Sequence, residues 1–239
     1  MSTLSAAPAK LSIIIPTYNE AATIAQIVLR VLRVEVPGVE KEIIIVDDGS
    51  RDESAAIIDE LQAQHPDQIK THHSLINLGK GAAIRLGLFF ATGDIVLIQD
   101  ADLELSPEEY PLLLSPILSG QASVVYGSRF LNSSNGVPWR SRLANRFLTS
   151  LTNVLFGGRL TDMATAYKVF RSPVIKSLPL RSARFEFEPE VTAKLLLAGH
   201  QINEVPITYT PRGATHGKKI GWIDGIEYLY TLFKYRWLT

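Results

Sequence analysis

Three short polar clusters each follow an apolar run in this 239-residue chain. Pro16-Thr17-Tyr18-Asn19-Glu20 follows the first run, Asp47-Asp48-Gly49-Ser50 the second, and Asp100-Ala101-Asp102, extended by Leu103-Glu104, a later one. Two carboxylates spaced i, i+2 as the chain leaves a strand can aim at one hard cation. Such a cation takes oxygen ligands and keeps places for water and substrate phosphate. Taken singly, Asp-Gly-Ser is also an ordinary turn and helix cap, and Asp100 with Asp102 is also a solvated loop end. Together, in order on successive strand–helix units, the clusters point to a site, because ligands of open parallel sheets bind outside the carboxyl ends of the strands. Gly79-Lys80-Gly81 opens a helix, where backbone amides and Lys80 can meet an anion; a plain tight turn is the alternative reading.

The elements that must carry these clusters are legible in the hydropathy pattern. Strands are expected at Leu11–Pro16, Glu42–Val46, Gln68–His73, Asp94–Gln99 and Ala122–Tyr126. Helices are expected at Ala21–Val34, Glu53–Gln64, Lys80–Ala91 and Pro107–Leu118, the last with Ser106 as N-cap. This alternation predicts an α/β fold with a largely parallel sheet. Its strands are continuous apolar runs, as in a sheet covered on both faces. Beyond residue 128 the rhythm changes. Arg140–Phe156 reads as a helix with a basic face (Arg140, Arg142, Arg146). Pro189–Ala198 reads as a helix ended by Gly199, Gln201–Thr208 as a strand, Pro211–Lys219 as a basic loop and Trp222–Trp237 as an amphipathic helix. The whole chain reads as one domain, 1–239.

Composition narrows the classes. With 46% apolar residues and zero net charge the chain is not globally disordered. It has no cysteine, which excludes disulfides, thiolate zinc sites and thiol catalysis. No apolar run approaches the roughly 20 residues of a membrane span. Met1–Lys10 lacks a signal-peptide core, so a cytoplasmic protein is expected. There is no G-x-G-x-x-G, no Walker A loop and no G-x-S-x-G elbow, and the histidines show no metal-ligand spacing. The neutral total hides an asymmetry: residues 1–120 hold 8 Lys and Arg against 17 Asp and Glu, and residues 121–239 hold 16 against 7. That division suits carboxylates for a metal in one half and cations for phosphate in the other, although mutual attraction of two layers gives the same balance.

These residues resemble family 2 glycosyltransferases of the GT-A fold, and among them the polyprenyl-phosphate hexosyltransferases of the dolichyl-phosphate mannose synthase type. The resemblance rests on the three clusters above, Asn77–Gly81, Gly127-Ser128-Arg129, Asp162 with Tyr167–Arg171, Phe185–Glu188 and Gly217–Ile220. It implies a GT-A (Rossmann-like), mostly parallel sheet flanked by helices. It further implies a nucleotide-sugar-binding half over 11–127 and an acceptor-binding half over 128–239.

The activity it implies is inverting, metal-dependent transfer of a hexose from GDP-mannose or UDP-glucose to a polyprenyl phosphate; a saccharide or other hydroxyl acceptor is the alternative. Pro16, Tyr18, Glu20 and Asp48 would hold the base and ribose. Lys80, Asp100, Arg212 and Lys218 would meet the rest of the donor. Asp100, Asp102 and Glu104 would bind Mg²⁺ or Mn²⁺. Arg129, Arg140 and Arg142, with Arg146, would meet the acceptor phosphate, and Lys219 would join Arg212 and Lys218 over the diphosphate. Asp102, Arg129 and Asp162 form the expected catalytic group, with Asp162 either a base or an acceptor-orienting carboxylate. Glu186 and Glu188 are alternatives if their segment is extended, and pairing of one with Arg181 or Arg184 is the structural option. Many members continue into transmembrane helices. For this sequence, ending at Thr239, the expectation is peripheral contact with the cytoplasmic face of a membrane, with a homo-oligomer or a separate membrane-spanning partner as options, and no nucleic acid.

Overall fold

The apolar runs of the first half become the middle of one sheet. The computed structural model describes residues 9–131, 136–211 and 222–238. Among these, the sheet has seven strands: β1 (Ala9–Thr17), β2 (Val39–Asp47), β3 (Ile69–His73), β4 (Ile95–Ile98), β5 (Val124–Ser128), β6 (Lys168–Arg171) and β7 (Asn203–Pro206). Their spatial order is β3-β2-β1-β4-β6-β5-β7. β1 pairs in parallel with β2 and β4, β2 with β3, and β5 with β7. β6 runs antiparallel to both of its neighbours, β4 and β5. The helices are α1 (Ile24–Arg33), α2 (Ser54–Gln64), α3 (Lys80–Phe90), α4 (Tyr110–Leu118), α5 (Trp139–Phe156), α6 (Ser172–Ser177), α7 (Phe187–Leu197) and α8 (Trp222–Trp237).

Strand side chains alternate between faces, and both faces are covered. Ile13, Ile15, Ile43 and Ile45 pack with Ile24, Ile27 and Val28 of α1, Ile58 of α2 and Leu113 of α4. Ile14, Ile44, Val46, Val96 and Ile98 pack on the other side with Ile84 of α3 and Val191 and Leu195 of α7. Each such side chain contributes about 1.5–3 kcal/mol by leaving water. Helix α3 lies so close to β1 that a Cβ on Gly87 would stand 2.5 Å from Ile14 Cγ2.

Several expectations shift. β6 and α6 were not expected. Only Val169 and Phe170 of β6 are apolar, and Lys168 is fully buried within it. Helix α7 begins two residues before Pro189, so Glu186 is its N-cap residue and Glu188 lies in its first turn; an extended Glu186–Glu188 segment is therefore ruled out. The expected helix at Pro107 starts as a 3₁₀ turn, Pro107–Glu109. The Ser106 hydroxyl does not cap it; it donates to Glu108 and accepts from Arg30, whose guanidinium also grips Glu108.

Candidate active site

The loops after β1 and β2 are laced together. Asn19 N–H donates to Ser50 Oγ (2.9 Å), Arg51 N–H to Asn19 Oδ1 (2.8 Å) and Glu20 N–H to Ser54 Oγ (2.8 Å). Asn19 takes a left-handed backbone, φ 54°, a conformation asparagine tolerates better than most residues. Pro16, next to last in β1, is part-exposed, Tyr18 is exposed, and the Glu20 carboxylate is half-buried, accepting from the Thr23 hydroxyl at 3.0 Å. Asp47 closes its own turn by accepting from Ser50 N–H (3.1 Å). Asp48 is buried, and its oxygens accept from Leu78 N–H (2.9 Å) and Gly79 N–H (2.7 Å). In this arrangement Asp48 anchors the loop between β3 and α3.

That loop turns part of Gly79-Lys80-Gly81 inward, where the sequence suggested that backbone amides and Lys80 could meet an anion. Gly79 N–H is taken by Asp48, and Ala82 N–H donates to Ala183 O at 2.9 Å. Residues 181–184 lie across the turn so tightly that a Cβ on Gly79 would meet Ala183 O at 2.5 Å. What the turn presents is Lys80 itself. Its ammonium is 2.6 Å from Asp100 Oδ1 and 3.4 Å from Glu188 Oε1. Burial pulls the Lys80 pKa down, but the charges of Asp100 and Glu188 outweigh it and hold it above the ordinary lysine value. Glu188 reaches on to Lys168, which also donates to the carbonyls of Met163 and Thr165. Burial lowers the pKa of Lys168 despite this company.

Asp100 and Asp102 follow β4 as expected. Asp102 is nearly buried and Asp100 half-exposed. Asp102 Oδ1 accepts from Glu104 N–H at 2.9 Å. Glu104 Oε2 accepts from the Tyr209 hydroxyl at 3.0 Å. Among the described residues no group of three or more carboxylates and histidines converges on one point, so Glu104 does not complete a cage with the aspartates. Two carboxylates still fit Mg²⁺ or Mn²⁺, because such ions are held by one or two carboxylates plus substrate phosphates and water.

Arg129 and Asp162 meet in a separate, buried cluster. Asp162 is 0% exposed. Its Oδ2 accepts from Arg129 N–H (3.1 Å) and Nε (2.7 Å), and its Oδ1 from Arg129 Nη2 (2.8 Å) and Asn145 Nδ2 (3.0 Å). A carboxylate offers about four acceptor positions, and here all four are filled. Burial would lower the Arg129 pKa, yet Asp162 holds it above its ordinary value. The Arg129 guanidinium lies over the rings of Phe130 and Tyr209 at 5.6 and 5.5 Å. Tyr209 thus bridges the Glu104 loop and the arginine. Glu204 supports the cluster from beneath, accepting from Thr161 N–H (2.7 Å) and Asp162 N–H (2.9 Å); burial raises its pKa.

Arg140 and Arg146 are exposed on α5, and Arg142 is half-buried with its Nε lacking any hydrogen-bond partner. Neither Glu186 nor Glu188 pairs with the Arg181 or Arg184 side chain. Glu186 Oε1 accepts from the backbone amides of Ala183 and Arg184. Arg212, Lys218 and Lys219 lie outside the described residues. Sequence reasoning missed Asn145, Glu204 and Tyr209, and gave Lys168 no role beyond its place in Tyr167–Arg171. The available signals were slight: a lone lysine beside Val169-Phe170 and a lone glutamate in Asn203–Pro206.

Residues 12–178 match the model of glycosyl transferase family 2. The chain is a family 2 glycosyltransferase. It is 33% identical over 208 residues to a polyprenol monophosphomannose synthase of Mycolicibacterium smegmatis, covering 84% of this chain and 77% of that protein. It is 29% identical to an undecaprenyl-phosphate 4-deoxy-4-formamido-L-arabinose transferase of Edwardsiella ictaluri, over 92% of this chain and 66% of the relative. Glycosyltransferase AglD of Haloferax volcanii is 27% identical over 88% of this chain, which spans only 35% of that protein. Among solved structures, glucosyl-3-phosphoglycerate synthase of Mycobacterium tuberculosis in complex with Mn²⁺, UDP and phosphoglyceric acid superposes with a TM-score of 0.73. It is 20% identical and covers 96% of this chain and 79% of that one. The fold of this family 2 chain is therefore the GT-A arrangement expected from the sequence. No helix among the described residues is long and apolar enough to cross a membrane.

Proposed function

We propose that this family 2 enzyme moves a hexose from a nucleotide-sugar, GDP-mannose or UDP-glucose, to a polyprenyl phosphate, inverting the anomeric centre. The curated relatives named for polyprenyl-phosphate sugars support the acceptor class. The observation that carries the reading is the Arg129–Asp162 pair. With four donors on its oxygens, Asp162 is engaged in holding a guanidinium, which disfavours it as the base a hydroxyl acceptor requires. A phosphomonoester requires no base, since its second pKa is about 6 and it is largely a dianion at neutral pH. It requires arginine, which matches phosphate oxygens two at a time.

The residues divide the work between the two halves of the chain. In 11–127, Asp100 and Asp102 would hold Mg²⁺ or Mn²⁺ for the donor diphosphate. Pro16, Tyr18 and Glu20 line the nucleotide side, and Asp48 sets the loop beside them. A divalent cation bound there neutralises the charge that grows on the leaving diphosphate. Lys80 adds fixed positive charge, and Arg212 and Lys218, outside the described residues, are proposed to do the same. In 128–239, Arg129 orients the acceptor phosphate, with Arg140 and Arg142 at its approach.

A lipid acceptor also accounts for α5. Its buried residues are polar, Asn145, Thr149 and Thr152, while Trp139, Leu143, Phe147 and Val154 are exposed. Helix α8, packed against α5, exposes Ile226, Tyr230, Phe233 and Trp237, with Lys234 and Arg236 in its last turn. Apolar and aromatic side chains flanked by cations suit the interface of a membrane carrying anionic lipid. We place the protein on the cytoplasmic face of such a membrane.

The test is transfer of labelled hexose from a panel of GDP- and UDP-sugars to a short polyprenyl phosphate. One donor is expected to be consumed with Mg²⁺ or Mn²⁺ and not with EDTA, and Asp102→Ala is expected to lose at least about a hundredfold in rate. Metal-independent transfer at an undiminished rate overturns the role given to the aspartates.

A further inference from the structure

We propose that Lys80 is a resident counter-cation of the Asp100–Asp102 site, shared with Glu188, and that it makes divalent-metal binding depend on prior or simultaneous arrival of a nucleoside diphosphate. The proposal rests on the reading of Asp100 and Asp102 as the metal and diphosphate carboxylates.

Four charges form one chain through the interior: Asp100, Lys80, Glu188 and Lys168. Their signs alternate, so the chain is neutral as a whole. Lys80 is fixed at the first position of α3 by the Gly79 turn, which Asp48 ties down from one side and Ala183 from the other. Its side chain is only 14% exposed, so it has little freedom to swing into solvent. Glu188, on α7, is fixed by fully buried Lys168, which itself lies over the Tyr126 ring at 4.5 Å. The ammonium of Lys80 is thereby shared between two carboxylates with unequal contacts, 2.6 Å to Asp100 and 3.4 Å to Glu188.

The consequence is electrostatic. A divalent cation approaching the empty site finds Asp100 already neutralised, and it meets the repulsion of an ammonium at the same oxygen. Like charges this close repel strongly at the effective dielectric of a protein surface. A diphosphate changes the balance, because its oxygens give Lys80 and the metal separate anionic partners. Glu188 sets how hard Lys80 bears on Asp100. With Glu188 charged, the ammonium is drawn partly inward; with that charge removed, Lys80 bears on Asp100 alone. Glu188 is on this account a positioning residue acting through Lys80.

The test is the affinity of the enzyme for Mn²⁺, read from the electron paramagnetic resonance signal of free Mn²⁺, with and without UDP or GDP. Wild type is expected to bind Mn²⁺ weakly alone and much more tightly with the matching nucleoside diphosphate. Lys80→Met is expected to bind Mn²⁺ alone at least about tenfold more tightly, with most of the nucleotide dependence gone. Lys80→Arg is expected to keep that dependence, and Glu188→Gln to weaken binding of Mn²⁺ alone several-fold. Far-UV circular dichroism checks folding, and if Glu188→Gln fails to fold the two Lys80 variants still decide. Unchanged or weaker Mn²⁺ binding by folded Lys80→Met overturns the proposal. Absence of Mn²⁺ binding by wild type even with both nucleotides overturns instead the underlying reading of the aspartates.

Discussion

Arg129 and Asp162 show how a single pair separates two chemistries. The pair is bidentate and buried, so its geometry is rigid, and Asp162 holds the Arg129 pKa above its ordinary value. Asp162→Asn keeps the shape but replaces an acceptor oxygen with a donor facing a guanidinium. The expected result is an acceptor KM raised about tenfold or more, with the pH dependence of kcat unchanged, measured by initial rates across pH. Loss of one limb of the pH profile would instead mark Asp162 as a base. The aspartates at 100 and 102 were legible in the sequence because two carboxylates after an apolar run stand out. Glu188 stood out as a carboxylate and Lys168 as part of Tyr167–Arg171, but their pairing was not legible, since twenty residues separate them. The filled oxygens of Asp48 and Asp162 were equally hidden, because backbone amides and a distant arginine supply the donors.

At the level of elements, α7 and its neighbours depend on a second buried carboxylate. Burial pushes the Glu190 pKa up, but hydrogen bonds from Lys194, Tyr235 and Ser182 outweigh it and bring the carboxylate down to about 2. Tyr235 donates at 2.6 Å, which ties α8 to α7. A carboxylate depressed in the folded state contributes stability above its unfolded pKa and loses it as pH falls toward the folded one. Glu190 therefore stabilises the packing by about 2–3 kcal/mol above pH ~5, and that share fades between about pH 4.5 and 2. Glu190→Gln is expected to lower the melting temperature at pH 7 and to flatten its fall with acid, checked by thermal melts across that range; an equally steep fall would assign acid lability elsewhere. The first-half elements were readable because their apolar runs are strong. β6 was not, because a four-residue strand that includes a buried lysine has no apolar signature of its own. Helix α5 was readable as a helix, but its exposed apolar residues only became evident once its buried side proved to be polar.

In the molecule as a whole, one sheet carries both proposed groups, with the aspartates after β4 and Arg129 just past β5 on either side of the reversed strand β6. The exposed aromatic residues of α5 and α8, with the cations beside them, are the surface proposed to meet a membrane. Flotation with anionic liposomes is expected to carry wild type upward, and Trp139→Ser with Phe147→Ser is expected to leave most of the protein below; equal flotation would move the membrane contact to another surface. The most direct measurement compares polyprenyl phosphate with the corresponding polyprenol as acceptor, under one donor and one metal. Transfer to the phosphate and none to the alcohol is the predicted result, because Arg129 holds a nucleophile that needs no base. Comparable transfer to the alcohol would contradict it.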